Sequence, residues 1–359
     1  MGVLRRSREK HVSQLTNAQK AKLALGLLIS VVFVLWAARG LRLDEVLRAL
    51  KSGNYIWLLP AACAYFLPVL LRTWRWQSLL RPILFVPIRR LMPVLVIGYM
   101  GNNVLPARAG EVLRAYVLRK NENVSITASL ATIVLERVFD AIAMLLFLLV
   151  SLSFFAMNAR NMWITSGLAV FCLLVLGLFW LAATRHSLLT GVYGWASRKF
   201  LPERVRGTVH GLAARFHEGL QSLRSPLAMV ALLLQSACIW LAEALVYLAV
   251  AQVFPDLRVS YPQLVFMVAI TALATTLPST PGYVGTFDAP GIAVLARFGV
   301  PRSLAASFTV VLHLVIWLPI TVAGWLFMAA SSIRWSDAAG AISGEAAIEP
   351  ASASADSAQ

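Results

Sequence analysis

The chain has 359 residues, 59% of them hydrophobic and only 13% charged, with a mean hydropathy of +0.74. Soluble domains carry roughly 45–50% apolar and about 25% charged residues, so the composition excludes a single aqueous domain and points to an all-α, polytopic helical membrane protein. The formal charge is +16, from 32 Lys and Arg against 16 Asp and Glu; in a membrane protein this implies basic loops and anionic lipid headgroups, not nucleic acid.

Residues 1–20 form a basic N-terminus, with Arg5, Arg6, Arg8, Lys10 and Lys20. The apolar run Ala21–Ala38 is not followed by a clean small-x-small site, so it is expected to remain as a first span. Further apolar runs are Tyr55–Leu71, Leu91–Leu105, Val124–Ala156, Met162–Ala183, Pro226–Phe254, Gln263–Leu277 and Ser303–Ala330. Cys63, Cys172 and Cys238 lie far apart within apolar stretches. They have neither metal-ligand spacing nor the look of a disulfide framework.

Two runs are too short. Leu91–Leu105 and Gln263–Leu277 have 15 residues each, about 22 Å of helix against about 30 Å of hydrocarbon. Both end in the same punctuation, Leu105-Pro106-Ala-Arg-Ala-Gly110 and Leu277-Pro278-Ser-Thr-Pro-Gly282, an internal L-P-x-x-x-G repeat. Short, Pro/Gly-broken segments in corresponding places of two halves point to a transporter binding site. The expected architecture is therefore about six full spans plus two re-entrant broken helices in an inverted repeat.

Charge counting gives the orientation. With the N-terminus in the cytoplasm, residues 72–90 and 108–120 are inside, with five and four Lys or Arg. The segment 184–225 is inside with seven, and the loops 157–161 and 255–262 are outside with one each. Both termini are then cytoplasmic. The first re-entrant segment comes in from the cytoplasm and the second from outside. Arg39–Lys51 puts four basic residues on the wrong side; its Leu41, Leu43, Val46, Leu47 and Leu50 make it an amphipathic segment lying in the interface. A cytoplasmic surface helix is expected around Val205–Leu223. Residues 331–359 form an Ala/Ser-rich tail expected to be disordered, leaving 21–330 as the membrane domain.

Polar residues at membrane depth need a reason. The first cluster is Asn102, Asn103, Pro106, Arg108, Gly110, Glu111 and Arg114. A helix restarting near Gly110 would point its N-terminus into a wet cavity, with Arg108 and Arg114 as phosphate partners. Alternatively, Glu111 is a first-turn carboxylate favoured by the helix dipole and the arginines are cytoplasmic anchors. The second cluster, Glu136, Arg137 and Asp140, is an interhelical clamp or path lining, or an interfacial ion pair. The third contains Pro278, Pro281, Gly282, Gly285 and Asp288. Asp288 either caps the next helix or faces the cavity opposite the first cluster. Glu243 lies within a span and must face protein or water. His313 fits a hydrogen-bonded structural histidine better than a proton relay. Trp and Tyr residues sit mostly at span ends, as interface anchors.

No catalytic motif, nucleotide-binding loop or Cys/His metal cluster is present in the sequence, so no cofactor is expected. The segments Asn103-Val-Leu-Pro-Ala-Arg-Ala-Gly-Glu111, Glu136-Arg137-x-x-Asp140, Ser236-Ala-Cys-Ile-Trp-Leu-Ala-Glu243 and Pro281-Gly-Tyr-Val-Gly-Thr-Phe-Asp288 resemble the lysylphosphatidylglycerol synthase transmembrane family, flippase-like membrane proteins. The likeness covers about residues 20–330, extends to the N-terminal flippase half of the multiple peptide resistance factor, and implies a place in a bacterial inner membrane. That resemblance implies movement of an anionic phospholipid or lipid-linked headgroup between leaflets, with membrane lipids and a separate lipid-modifying enzyme as partners. The chain departs from the family pattern at Tyr283, where a glycine is usual, and at Asp288, where a glutamate is usual. About 29 residues follow Ala330, too few for the family's aminoacyltransferase domain, so no synthase activity is expected. Two other readings stay open: an enzyme or assembly factor acting on a polyprenyl-phosphate-linked glycolipid, and an ion-coupled solute transporter.

Overall fold

A computed structural model describes residues 17–105, 108–155, 174, 225–277 and 280–331. The described residues form ten α-helices and no strand. They are α1 (Asn17–Ala38), α2 (Leu43–Lys51), α3 (Leu58–Leu80), α4 (Ile88–Val104), α5 (Ala109–Glu122), α6 (Ile126–Phe155), α7 (Pro226–Ala251), α8 (Tyr261–Ala274), α9 (Asp288–Arg297) and α10 (Arg302–Ala330). Short 3-10 turns cover Tyr55–Trp57 and Pro281–Tyr283. The expected span 162–183, the expected surface helix at Val205–Leu223, the N-terminus before Asn17 and the tail lie outside the described residues.

Three stretches, Tyr55–Leu80, Pro226–Ala251 and Arg302–Ala329, are long and apolar enough to cross a membrane. Helix α6 has 30 residues, about 45 Å, with Glu136, Arg137 and Asp140 in its first half. The outer surface is apolar: Val310, Leu314, Leu318, Val322 and Leu326 form an exposed stripe along α10. Such stripes suit lipid, not water.

The two short runs are half-helices folded back on themselves. Helix α4 ends at Val104 because Leu105 is extended (φ −94°, ψ 147°), as the residue before a proline prefers. Arg108 is left-handed (φ 55°), and α5 returns along α4. A β-carbon on Gly110 would sit 2.0 Å from the Gly98 carbonyl oxygen, so the arms touch through backbone. The second hairpin is α8 and α9. Its start is fixed by a capping box, the Ser260 amide donating to Gln263 Oε1 at 2.8 Å, with Pro262 in the first turn. Arms of 17, 14, 14 and 10 residues are about 26, 21, 21 and 15 Å long, all short of a crossing.

The halves α3–α6 and α7–α10 have the same internal plan: long helix, hairpin, long helix. Each neighbour pair in one half has its counterpart in the other, and the hairpin arm α4 packs on α10 as α8 packs on α6. The central counterparts α3 and α7 run antiparallel, since Asn54 bonds Val253, Arg72 meets Glu243 and Arg75 meets Ser236. A two-fold relation between antiparallel counterparts is an inverted repeat.

The charge count needs correction. Arg72 and Arg75, counted in a cytoplasmic segment, lie inside α3 and are buried (7% and 1% exposed); α3 runs on to Leu80 because partners on α6 and α7 neutralise them. Arg108 and Arg114 are also withdrawn from the loops. Helix α2 lies on the surface of the bundle, with Leu43 and Leu47 exposed. One edge docks on α10, where Ser303 Oγ donates to Glu45 Oε2 at 2.8 Å and Ser307 Oγ to the Val46 carbonyl at 3.2 Å.

Candidate functional site

The charged interior is built from helix-to-helix pairs. Arg72 Nη1 donates to Glu243 Oε2 at 2.8 Å and its guanidinium lies 4.8 Å from the Trp240 ring centre. Arg75 makes a two-pronged bond to Asp140 at 2.5 and 3.2 Å and also donates to Ser236 Oγ. Trp240 Nε1 donates to the same Asp140 at 2.9 Å. Arg114 grips Glu136 at 2.7 and 3.0 Å and stacks on Trp76, 3.5 Å from the ring centre. An isolated charge in hydrocarbon is expensive, and only such pairing with extra hydrogen bonds compensates it.

Above these pairs the two hairpin tips meet. Arg108 Nη2 donates to the Thr275 carbonyl at the end of α8, and its guanidinium lies 5.8 Å from the Tyr283 ring centre. Asn103 Nδ2 donates to Thr321 Oγ1 at 2.8 Å. The tips border a cavity of about 940 Å³, its open mouth included. Arg72 and Glu243, with Glu111 and Arg137, form its charged floor; Tyr65, Tyr99, Trp240, Tyr247, Tyr283 and Trp317 form its walls. Glu111 and Arg137 are paired at 3.3 Å, and Arg137 also stands 3.7 Å from Asp140. Arg108 has no carboxylate partner among the described residues.

Of the residues singled out in the sequence, Asn102, Asn103, Arg108, Glu111, Arg137, Glu243 and Gly282 line this cavity. Arg114, expected beside Arg108 at a phosphate, is instead 2% exposed and bound to Glu136 beneath Trp76. Glu136 and Asp140 clamp α6 to α5 and α3, behind the cavity wall. Gly110 serves the contact between arms. Gly285 (φ +83°) sits against α1, where a β-carbon would come within 2.7 Å of the Ser30 carbonyl. Pro281 opens the 3-10 turn, and Pro106 and Pro278 lie outside the described residues. Asp288 does not line the cavity: Oδ2 accepts from the Gly285 amide at 2.8 Å and Oδ1 meets His313 Nδ1 at 2.7 Å. His313 is the cavity-facing member of that pair.

The sequence missed Arg72 and the aromatic wall. Trp240, Tyr247 and Trp317 line the cavity, and Trp240 and Trp317 do so from the middle of their helices. Arg72 had a signal, because Trp74, Trp76, Leu79 and Leu80 continue the apolar pattern beyond it. Among the described residues no group of His, Cys, Asp and Glu could hold a metal ion.

Comparison with known proteins adds an independent line. A UPF0104 membrane protein of Methanothermobacter thermautotrophicus is 27% identical over 305 aligned positions, covering 78% of this chain and 87% of that protein. A UPF0104 membrane protein of Methanocaldococcus jannaschii is 24% identical, covering 84% of this chain and 93% of that protein. The protein named glycosyltransferase AglD of Haloferax volcanii is 25% identical; it aligns with 85% of this chain, which spans only 54% of its length. The family model described as the lysylphosphatidylglycerol synthase TM region matches residues 23–324, and the chain belongs to that family.

Proposed function

We propose that the chain is a lipid translocator whose cavity receives the anionic headgroup of a phospholipid or lipid-linked glycan while the tails stay in the bilayer. The supporting observation is Arg108. Among the described residues, three arginines and two glutamates line the cavity; four of the five pair off, and Arg108 supplies one surplus positive charge. It is held in a left-handed conformation, uncommon for a side-chain-bearing residue and often a mark of functional strain. A guanidinium with donors to spare is the group suited to a phosphodiester, and Asn102, Asn103, Glu111 and Arg137 would orient the rest of the headgroup.

The membrane placement follows the same reading. We place the N-terminus, the α3–α4 loop and the end of α5 on the cytoplasmic side of a cell membrane. The named relatives are archaeal, so this placement does not depend on a bacterial cell. A second reading has one observation in its favour, the relative named glycosyltransferase AglD: a membrane-embedded enzyme or assembly factor acting on a lipid-linked glycan.

Proteoliposomes carrying a fluorescent anionic phospholipid test the first reading. Arg108→Ala is expected to lower leaflet transfer at least tenfold and Arg108→Lys to retain part of it, both with wild-type unfolding temperatures. Unchanged transfer by well-folded Arg108→Ala would refute the translocator reading. Covalent modification of an added lipid-linked glycan by the purified protein would establish the second.

A further inference from the structure

We infer that Asp288 and His313 form a proton-binding site that clamps the tip of the second hairpin, and that loss of its proton unlatches the tip from the cavity. The inference rests on proton bookkeeping. His313 Nε2 lies 2.7 Å from the Gly282 carbonyl oxygen. A carbonyl only accepts, so Nε2 carries a hydrogen. Nδ1 lies 2.7 Å from Asp288 Oδ1, and a hydrogen must lie between those atoms too. The pair therefore holds one proton more than a neutral imidazole beside a carboxylate. It is either imidazolium and carboxylate, or imidazole and carboxylic acid.

Remove that proton and one contact must fail. A neutral imidazole has a single N–H. Beside the charged carboxylate the hydrogen stays on Nδ1, because charge-assisted bonds are the stronger ones. The lone pair on Nε2 then faces the Gly282 oxygen, and the contact turns repulsive. Gly282 (φ +72°), Tyr283 (φ 60°) and Gly285 (φ +83°) are left-handed residues of the tip, with only the extended Val284 (φ −55°) between them. Tyr283 is the ring against which Arg108 rests. Unlatching Gly282 thus loosens the cover over Arg108, which has no carboxylate partner among the described residues.

Other charged and titratable groups reach the cavity from the helices packed on α10: Tyr65 and Arg72 of α3, Tyr99 of α4, Glu243 and Tyr247 of α7. Arg72 and Glu243 neutralise each other, and among the described residues only Asp288 hydrogen-bonds the imidazole through a side chain. Glu45 of α2 is engaged near the start of α10, at Ser303. If the chain moves lipids, as proposed above, this site makes the movement sensitive to protons.

Hydrogen exchange on the full-length protein in lipid nanodiscs tests the clamp without reading transport. Rates for the tip, residues 280–287, are normalised to intrinsic chemical exchange over about pH 5 to about pH 9, where histidines titrate. In the wild type, normalised exchange at the Tyr283 and Phe287 amides is expected to rise about tenfold through one single-proton step, the size of one lost charged hydrogen bond. Asp288→Asn gives a clamp needing no proton: its amide NH2 donates to Nδ1, its oxygen accepts from Gly285, and exchange stays slow at every pH. His313→Ala lacks the clamp, and exchange stays fast at every pH. A flat wild-type profile, or a step that survives in either variant, overturns the proposal whatever the lipid-transfer assay returns.

Discussion

Replacing Glu136 by leucine is expected to destabilise the protein strongly. Arg114 is 2% exposed and holds Glu136 through two short bonds, at 2.7 and 3.0 Å. Its Nε already lacks a partner, so no spare interaction can take over. Removing the carboxylate leaves a desolvated guanidinium facing only the Trp76 ring. Breaking a buried pair on one side costs about 3–5 kcal/mol, and the stack on Trp76 offsets none of it, because the wild type already has that contact. Against a total stability of about 5–15 kcal/mol, a fifth or more is lost. Arg114→Met should cost a similar amount by stranding Glu136. The double variant Arg114→Met/Glu136→Leu should recover to within about 2 kcal/mol of wild type, because an apolar pair of similar volume replaces a buried ion pair at little cost. Unfolding in detergent, followed by intrinsic tryptophan fluorescence, gives all four corners of the cycle. The coupling should persist at high salt, since buried pairs are poorly screened. Single losses below about 1 kcal/mol, the value of exposed pairs, would refute the view that this pair is desolvated.

Two further outcomes follow from local geometry. Gly110→Ala should lower stability by about 3 kcal/mol or more, the upper end for overpacking, because its β-carbon would fall 2.0 Å from the Gly98 oxygen and 2.4 Å from the Asn102 amide nitrogen. Gly40→Ala, where a β-carbon meets nothing within 4 Å, should cost only about 1–2 kcal/mol of left-handed strain; thermal unfolding of both variants compares them. Glu45, on the surface helix α2, has its carboxyl held below the usual glutamate range by the Ser303 hydroxyl and then by Arg42. A depressed folded value means that docking of α2 is fully supported above the ordinary glutamate range and is lost as pH falls through the lowered value. Exchange protection of residues 43–51 should drop on acidification in the wild type and be low and less acid-sensitive in Ser303→Ala.

The broken hairpins were legible because their cause is local. Leu105-Pro106 and Leu277-Pro278 end two runs too short to cross, and chain length alone forbids a span. The repeat was legible only as far as its glycines. Gly110 lies in the first turn of α5, whereas Gly282 lies in the tip before α9, so the second copy carries an extra turn that the matched spacing conceals. Pairings between helices were beyond reach. Glu243 meets Arg72 across 171 positions, and nothing near either residue specifies the other. Arg114 and Glu136 are separated by 22 positions and each had a nearer opposite charge that pairs elsewhere: Glu111 three residues before Arg114, and Arg137 next to Glu136. Charge counting failed for the same reason, since Arg72 and Arg75 count as loop residues until their acidic partners are seen.

The inverted repeat gives the last of these pairs its meaning. Each half sets a carboxylate in the first turn of its second hairpin arm against a cation on the long helix that follows. In the first half these are Glu111 and Arg137, in the second Asp288 and His313. The cations occupy the same place on their helices, since Arg137 lies 11 residues after Ile126 and His313 lies 11 residues after Arg302. The two sites are therefore counterparts in position and opposites in chemistry. A guanidinium stays charged at any pH a cell meets, so the first hairpin is held by a fixed pair. An imidazole gains and loses its charge within that range, so the second is held by a conditional one. A symmetric frame with two permanent pairs would favour neither hairpin. With one pair fixed and the other proton-dependent, as proposed, the same frame would have a stationary side carrying Arg108 and a side able to let go of it, the asymmetry that the proposed translocation would use.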